Sequence, residues 1–170
     1  LPGIGDMIWH LPHIHAIATT TVQGRVDILT KPRSQTDRLL CADTCVERVL
    51  WLEREDDRYV GPRSLLQLAA WLRQENYQRV WCLHGSARYA LAARLAGVQE
   101  RIGYGIGLQS LWLSVPVRLS TDLRHVHPIL RADALLDLLE IPRTEPEPRL
   151  TVDAAAAQAV AKRFAAWPAP

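Results

Sequence analysis

The chain is short of several features that would narrow its class at once. It has no excess of charge of either sign: 20 basic and 18 acidic side chains leave a formal net charge of +2. A dedicated nucleic-acid binder carries a basic stripe or a recognisable motif, and neither is present, so nucleic acid is not an expected partner. No apolar run approaches the ~20 residues that a membrane-spanning helix needs. No secretory leader pattern stands at its start, and the first residue is Leu1 rather than Met, so the natural N-terminus is expected to lie elsewhere. Cysteine is scarce and odd in number: Cys41, Cys45 and Cys82 offer no disulfide framework and point to a reducing compartment. The C-x-x-x-C spacing of "CADTC" lacks a second ligand pair and reads as incidental. Lysine is confined to Lys31 and Lys162, so the positive charge is almost all arginine, the side chain suited to planar, bidentate anion contacts. Repeats and low-complexity tracts are also absent. What remains is ordinary globular composition, 48% apolar and 22% charged over 170 residues, enough for one domain, or one with a short appendage, and a sizeable core.

The order of elements is alternating. "LPGIGDMIWHLPHIHAIA" opens with glycines and an aspartate, read as a tight turn, and runs into an apolar helix. There Met7, Leu11, Ile14 and Ala18 recur at helical spacing, and Pro12 predicts a kink or a restarted turn. "RVDILT" and "RVLWLE" read as short buried strands, with the charge-dense "EREDDR" as a solvated turn. "GPRSLLQLAAWLRQENY" is a helix that puts Leu65, Leu68, Ala69 and Leu72 on one face. "RVWCLHG" is a strand, "SARYALAARLAG" a helix capped by Ser86 and stopped by Gly97, and "ERIGYG" a further strand. "SLWLSVPVRLS" is extended or irregular. A helix follows within "DLRHVHPILRADALLDLLEIP", then the linker "RTEPEP", then an alanine-rich helix. Strands alternating with helices predict an α/β, Rossmann-like parallel sheet with helices on both faces, whose ligands bind beyond the carboxyl ends of the strands. The loops "GIGD", "HGS" and "RIGYG" all fall at such ends. Only Leu1 precedes the first of them, so the first, central strand is expected to be missing; a sheet without it would split.

Several residues on these loops can carry chemistry. Asp6 is either a helix N-cap or a carboxylate placed as a general base. Gly3 and Gly5 allow close backbone approach to a ligand, or simply make a turn. His84, Gly85 and Ser86 end a strand and begin a helix, where backbone N–H groups can meet an anion. Arg88 and Arg101 stand near the same rim, and His127 and Arg131 lie four apart on one helix face, to contact a ligand or to tie the helix to its linker. His10, His13 and His15 do not share a helix face and read as surface or packing residues, not a metal site. Trp51, Trp71 and Trp81 sit in apolar segments and are expected in the core.

Taken in order, three segments resemble glycosyltransferase family 9, the ADP-heptose:lipopolysaccharide heptosyltransferases. They are "LPGIGDMIWHLPHIHAI", "YQRVWCLHGSARYALAARLAGVQERIGYG" and "HPILRADALLDLLEIP", and they span most of residues 1–142. The chain departs from the family pattern at Pro2 and Gly3, where Ser or Thr is frequent, at Gln78, where Asp is usual, and at Glu140, where Gly is usual.

The resemblance implies the N-terminal half of a GT-B glycosyltransferase. Residues 1–142 would be its acceptor-side domain, and residues 143–170 the linker and helix leading to a donor-binding domain outside this chain. It implies inverting transfer of a heptose or related sugar from a nucleotide-sugar, ADP-heptose in the family, to the anionic inner core of lipopolysaccharide. Asp6 would be the catalytic base, and Gly3, Gly5, His84, Gly85, Ser86, Arg88, Arg101, His127 and Arg131 would line the substrate. No cofactor and no metal are implied. The protein would work in the cytoplasm or peripherally at the inner face of the bacterial inner membrane. The alternative is a non-catalytic α/β nucleotide-binding or regulatory module using "GIGD" as a phosphate loop. The run G-I-G-D-M-I lacks the third glycine of a dinucleotide fingerprint, which counts against it.

Overall fold

The structure is a computed structural model and describes residues 3–52, 62–115 and 117–165. The turn expected at "EREDDR" lies outside them. The chain divides at Trp51/Leu52 and at Thr144/Glu145 into two compact units. The second boundary falls in the proline-rich linker; the first has no counterpart in the sequence pattern. Among the described residues the strands pair as two separate two-stranded parallel sheets, one in each unit, rather than as one continuous sheet.

The first unit begins with helix α1 (Ile4–Trp9), a break at His10, and helix α2 (Leu11–Thr19). Pro12 accounts for the break. It has no N–H to continue a helical ladder, yet suits the first turn of a new helix, where it sits. The restarted turn is therefore met. Met7, Leu11, Ile14 and Ala18 are all buried, as their spacing requires. Strand β1 (Val26–Thr30) follows and pairs with β2 (Val46–Trp51), Ile28 lying opposite Val49. Arg48 bridges to Asp27 at 2.6 Å across the pair. The crossover between them is a 3-10 turn (Pro32–Ser34) and the short helix α3 (Thr36–Leu39). The Ser34 hydroxyl lies 2.6 Å from that of Thr36 and donates to the Lys31 carbonyl at 2.8 Å. That satisfies polar groups which burial would otherwise leave at a cost. The alanine-rich helix α7 (Ala154–Phe164) is capped by Asp153, whose carboxylate accepts from the Ala156 N–H at 2.8 Å, and every residue of it is exposed.

The second unit holds α4 (Pro62–Glu75), β3 (Arg79–Cys82), α5 (Ala87–Ala96), β4 (Glu100–Gly103) and α6 (Pro128–Leu138). Cys82 lies opposite Gly103 in the parallel pair. Helix α5 buries Ala90, Ala92, Ala93 and Ala96. Side chains that small let it pack closely against α4 and the strands. Ser86 caps it and Gly97, at φ +87°, ends it, both as the sequence predicts. The core gathers Ile102, Tyr104, Leu119 and Leu135, with Trp81, Leu83 and Ile106 packed on it. All three tryptophans are half-buried; Trp81 packs against this cluster, and Trp51 and Trp71 do not belong to it. No described helix is long and apolar enough to cross a membrane.

Candidate functional site

Each unit contributes residues that the sequence singles out. In the first unit, Gly3 sits at the helix N-cap position in extended backbone, at φ −144°. Gly5 and Asp6 then lie inside α1, at its second and third positions. Two expectations change here. Gly5 is not in a tight turn, because the helix starts one residue before it. Asp6 is not the N-cap, since its backbone is already helical. Its carboxylate reaches back toward the cap: a Cβ built on Gly3 would sit 3.5 Å from Asp6 Oδ2. A methyl group at position 3 would therefore stand in ordinary van der Waals contact with that oxygen. Asp6 is half-buried, with Gly5 exposed beside it.

The Asp6 backbone is fixed from the next turn. The His10 ring Nδ1 lies 2.7 Å from the Asp6 carbonyl and donates to it. His10 is 1% exposed, and burial pushes its pKa down to about 4, against the raising effect of that hydrogen bond. It is therefore a neutral imidazole at ordinary pH. His13 is buried as well, with its ring centroid 5.4 Å from that of His10. Both are packing residues, and neither is at the surface. His15 is half-exposed and meets Asp43 at 2.7 Å.

The second unit brings four segments to one rim, beyond the carboxyl ends of β3 and β4. The His84–Gly85–Ser86 loop follows β3. Its N–H groups are partly used within the loop: Ser86 N–H donates to His84 Nδ1 at 3.0 Å, and Arg88 N–H donates to Ser86 Oγ at 3.3 Å. Tyr104 and Gly105 follow β4. Gln109, fully buried in a 3-10 turn (Gly107–Leu111), ties the two loops together. Its Nε2 donates to the His84 carbonyl at 2.7 Å, and its Oε1 accepts from the Gly105 N–H at 3.0 Å. Arg131 comes from α6. Its guanidinium carbon lies 5.6 Å from the centroid of the Tyr104 ring, and its Nη1 would be 3.7 Å from a Cβ on Gly85. The Arg131 Nε is buried with no hydrogen-bond partner among the described residues, and so is the Tyr104 hydroxyl.

The remaining candidates are committed to the fold. Arg88 donates to the buried Ser64 hydroxyl on α4. Arg101 donates to the carbonyls of Trp112 at 2.7 Å, Gln99 at 3.1 Å and Val98, and so fastens the start of β4. His127 is the N-cap of α6, its Nδ1 accepting from Ile129 N–H at 3.4 Å. The tie between α6 and the linker is made instead by Arg143, 3.0 Å from Asp133 and 3.2 Å from Asp137. The structure therefore gathers His84, Gly85, Ser86 and Arg131, and turns Arg88 and Arg101 to internal acceptors. Sequence reasoning missed Gln109. Its signal was a single amide in the apolar run "GIGLQSLWL", where a buried amide must find partners.

Comparison with solved structures decides the fold. The structure of E. coli ADP-heptose LPS heptosyltransferase II matches 96% of the chain at a TM-score of 0.68 and 19% identity. The fold is that of a heptosyltransferase half. The chain spans 48% of the length of that structure. No protein-family model matches the sequence, and no curated protein matches it. At this identity the likeness is one of architecture, and function must be argued from the site. The α/β, GT-B-type character expected from the three sequence segments is met.

Proposed function

We propose that this chain is the acceptor-side half of an inverting glycosyltransferase that transfers a heptose or related sugar from a nucleotide-sugar to an anionic glycolipid. The fold likeness over 96% of the chain carries the reading. Asp6 is the base. Its carboxylate takes the proton of the acceptor hydroxyl as that oxygen attacks the anomeric carbon, opposite the departing nucleotide diphosphate. Asp6 is only half-buried, beside the exposed Gly5, which supports this role because a substrate hydroxyl must come within hydrogen-bond reach.

Arg131 is the anion-binding residue of the second unit. Its Nε has no partner, and a buried cationic N–H is costly to leave unpaired. A phosphate or carboxylate of the acceptor, seated against the Gly85 loop, would supply that partner. Arg88, bonded to Ser64, braces the start of α5 against α4 behind it, while Arg101 fastens the opposite, amino end of β4. Such an enzyme would work in the cytoplasm, at the inner face of the membrane that carries its glycolipid.

The test uses the natural gene product that contains this chain, assayed for sugar transfer from ADP-heptose to a lipid-core acceptor. Asp6→Asn is expected to lower kcat by roughly 10²–10⁴-fold with an unchanged melting temperature, the range for loss of a general base. Retained turnover in a folded Asp6→Asn protein would refute the base assignment. Arg131→Ala is expected to raise the acceptor KM more than it lowers kcat.

A further inference from the structure

Independently of any sugar-transfer activity, the first unit brings a histidine, a carboxylate and a thiol from distant parts of the sequence to one point. His15 is on α2; Asp43 and Cys45 are on the loop that leads into β2. Their donor atoms all lie within 4.8 Å of one another. His15 Nε2 is 2.7 Å from Asp43 Oδ2, and the Cys45 N–H donates to Asp43 Oδ1 at 2.9 Å. The Asp43 side chain is 4% exposed, whereas that of His15 is 30% exposed. Cys45 is half-buried and carries a free thiol.

We propose that His15, Asp43 and Cys45 form a divalent-metal site with zinc as its ion, clipping α2 to the loop before β2. The donor set fits that ion: one imidazole nitrogen, one carboxylate oxygen and one thiolate sulfur suit a borderline-soft cation. Charge fits too. An ionised carboxylate and a thiolate balance the two positive charges, so the buried Asp43 is neutralised without a lone buried charge. Size requires little movement. With bonds of ~2.0–2.3 Å, tetrahedral donors stand about 3.3–3.8 Å apart. From 2.7 Å, His15 and Asp43 must part by at least about 0.6 Å, and the thiol must close in. Solvent reaches the site from the sides of His15 and Cys45, which provides the entry path and a water for the fourth position.

The bond-making step balances simply. The metal binds the Cys45 sulfur as its proton leaves to solvent, and it replaces the direct His15–Asp43 contact. The "CADTC" spacing misleads at the level of sequence. The partner of Cys45 is not Cys41, which is exposed and outside the cluster, but a histidine 30 residues earlier in the chain.

The experiment is a titration of the full chain, reduced, treated with chelator and free of any histidine tag. Cobalt(II) is added first and zinc(II) afterwards. The expected result is a near-ultraviolet thiolate-to-cobalt charge-transfer band that saturates at one ion per chain, is displaced by zinc, and comes with a zinc-dependent rise in melting temperature. Cys45→Ser and Cys45→Ala are expected to abolish the band, Cys41→Ser to leave it, and His15→Gln to weaken zinc binding at least about tenfold. Absence of the band in the parent chain overturns the proposal. So does a band that survives Cys45→Ser, or a zinc affinity unaltered by His15→Gln. The two Cys45 variants decide the thiolate ligand even where His15→Gln fails to fold, because Cys45 is half-exposed and serine is near-isosteric.

Discussion

Arg131 lies over the face of Tyr104, its guanidinium carbon 5.6 Å from the ring centroid, and each side chain leaves a buried polar atom unpaired: Nε of the arginine and the hydroxyl of the tyrosine. The pair joins α6 to the residue just after β4. The cation is held over the ring, and such a contact is worth about 0.5–2 kcal/mol depending on desolvation.

The hydroxyl of Tyr104 contributes nothing to that contact and is fully buried. Removing it should therefore not harm the fold. Tyr104→Phe keeps the ring beneath Arg131 and deletes an unsatisfied group whose burial costs on the order of 1 kcal/mol. The expected melting temperature equals or exceeds that of the parent. A fall of several degrees would mean that the hydroxyl has a partner after all.

His10 sets an acid limit on stability. Its pKa is lowered to about 4 in the fold from 6.5 unfolded, mainly by burial. Between those values the unfolded chain binds a proton that the folded chain refuses. The stabilising contribution is thus fully present above pH 6.5 and is lost as pH falls toward about 4. The amount is on the order of 3 kcal/mol over the whole window. In His10→Asn the amide can still donate to the Asp6 carbonyl, so this part of the pH dependence should vanish. Urea unfolding at pH 7 and at pH 5 measures it. Equal acid losses in parent and variant would assign the titration elsewhere.

The parts of this fold that were legible in the sequence are those governed by local chemistry. Ser86 and Gly97 bracket α5 because a cap and a left-handed stop are needed there, and Pro12 restarts a helix because it has no N–H. Gly5 was misread because glycine in sequence does not say whether it turns or helps begin a helix. The candidate site was legible only in part. That Gly85 meets Arg131 depends on a separation of 46 residues, and that Arg101 is spent on carbonyls depends on how the chain after β4 folds back. The partners of Gln109, and the His15–Asp43–Cys45 cluster as a whole, were invisible for the same reason: each is a product of tertiary approach, and the lone amide in "GIGLQSLWL" announces only that Gln109 needs partners, not which.

Glu140 is a local misfit with a measurable cost. It follows α6 at φ +55°, with its N–H on the Asp137 carbonyl at 3.1 Å and the Ile141 N–H on the Leu136 carbonyl at 3.0 Å. That hydrogen-bond pair is a Schellman closure, in which the left-handed position favours glycine. Glutamate there bears a strain that glycine does not. Glu140→Gly is expected to stabilise the chain by about 1 kcal/mol, after subtracting glycine's greater unfolded entropy. A thermal melt showing no gain would indicate that the exposed Glu140 side chain makes an offsetting contribution.

Gly105 is the opposite case, a glycine that no other residue can replace. It stands at φ +66° just after Tyr104, and a Cβ there would collide with the Val117 carbonyl oxygen and come within 3.0 Å of Arg118 Cα. Both obstacles are backbone, so neither can rotate away. The segment cannot retreat freely either, because Leu119 N–H donates to the Tyr104 carbonyl at 3.0 Å and Leu119 is buried in the core with Tyr104. The Gly105 N–H is itself held by Gln109. Gly105→Ala thus combines a strained dihedral with a backbone clash at the point where the two rim loops are tied. The expected loss is about 2–4 kcal/mol. Gly107→Ala is the control: φ is also positive, at +57°, but nothing lies within 4 Å of its Cβ, so only the smaller dihedral strain applies. Denaturant midpoints of the two variants separate strain from collision. If they fell equally, the close approach of the 117–118 backbone to Gly105 would have no energetic weight, and the rim would be held by Gln109 alone.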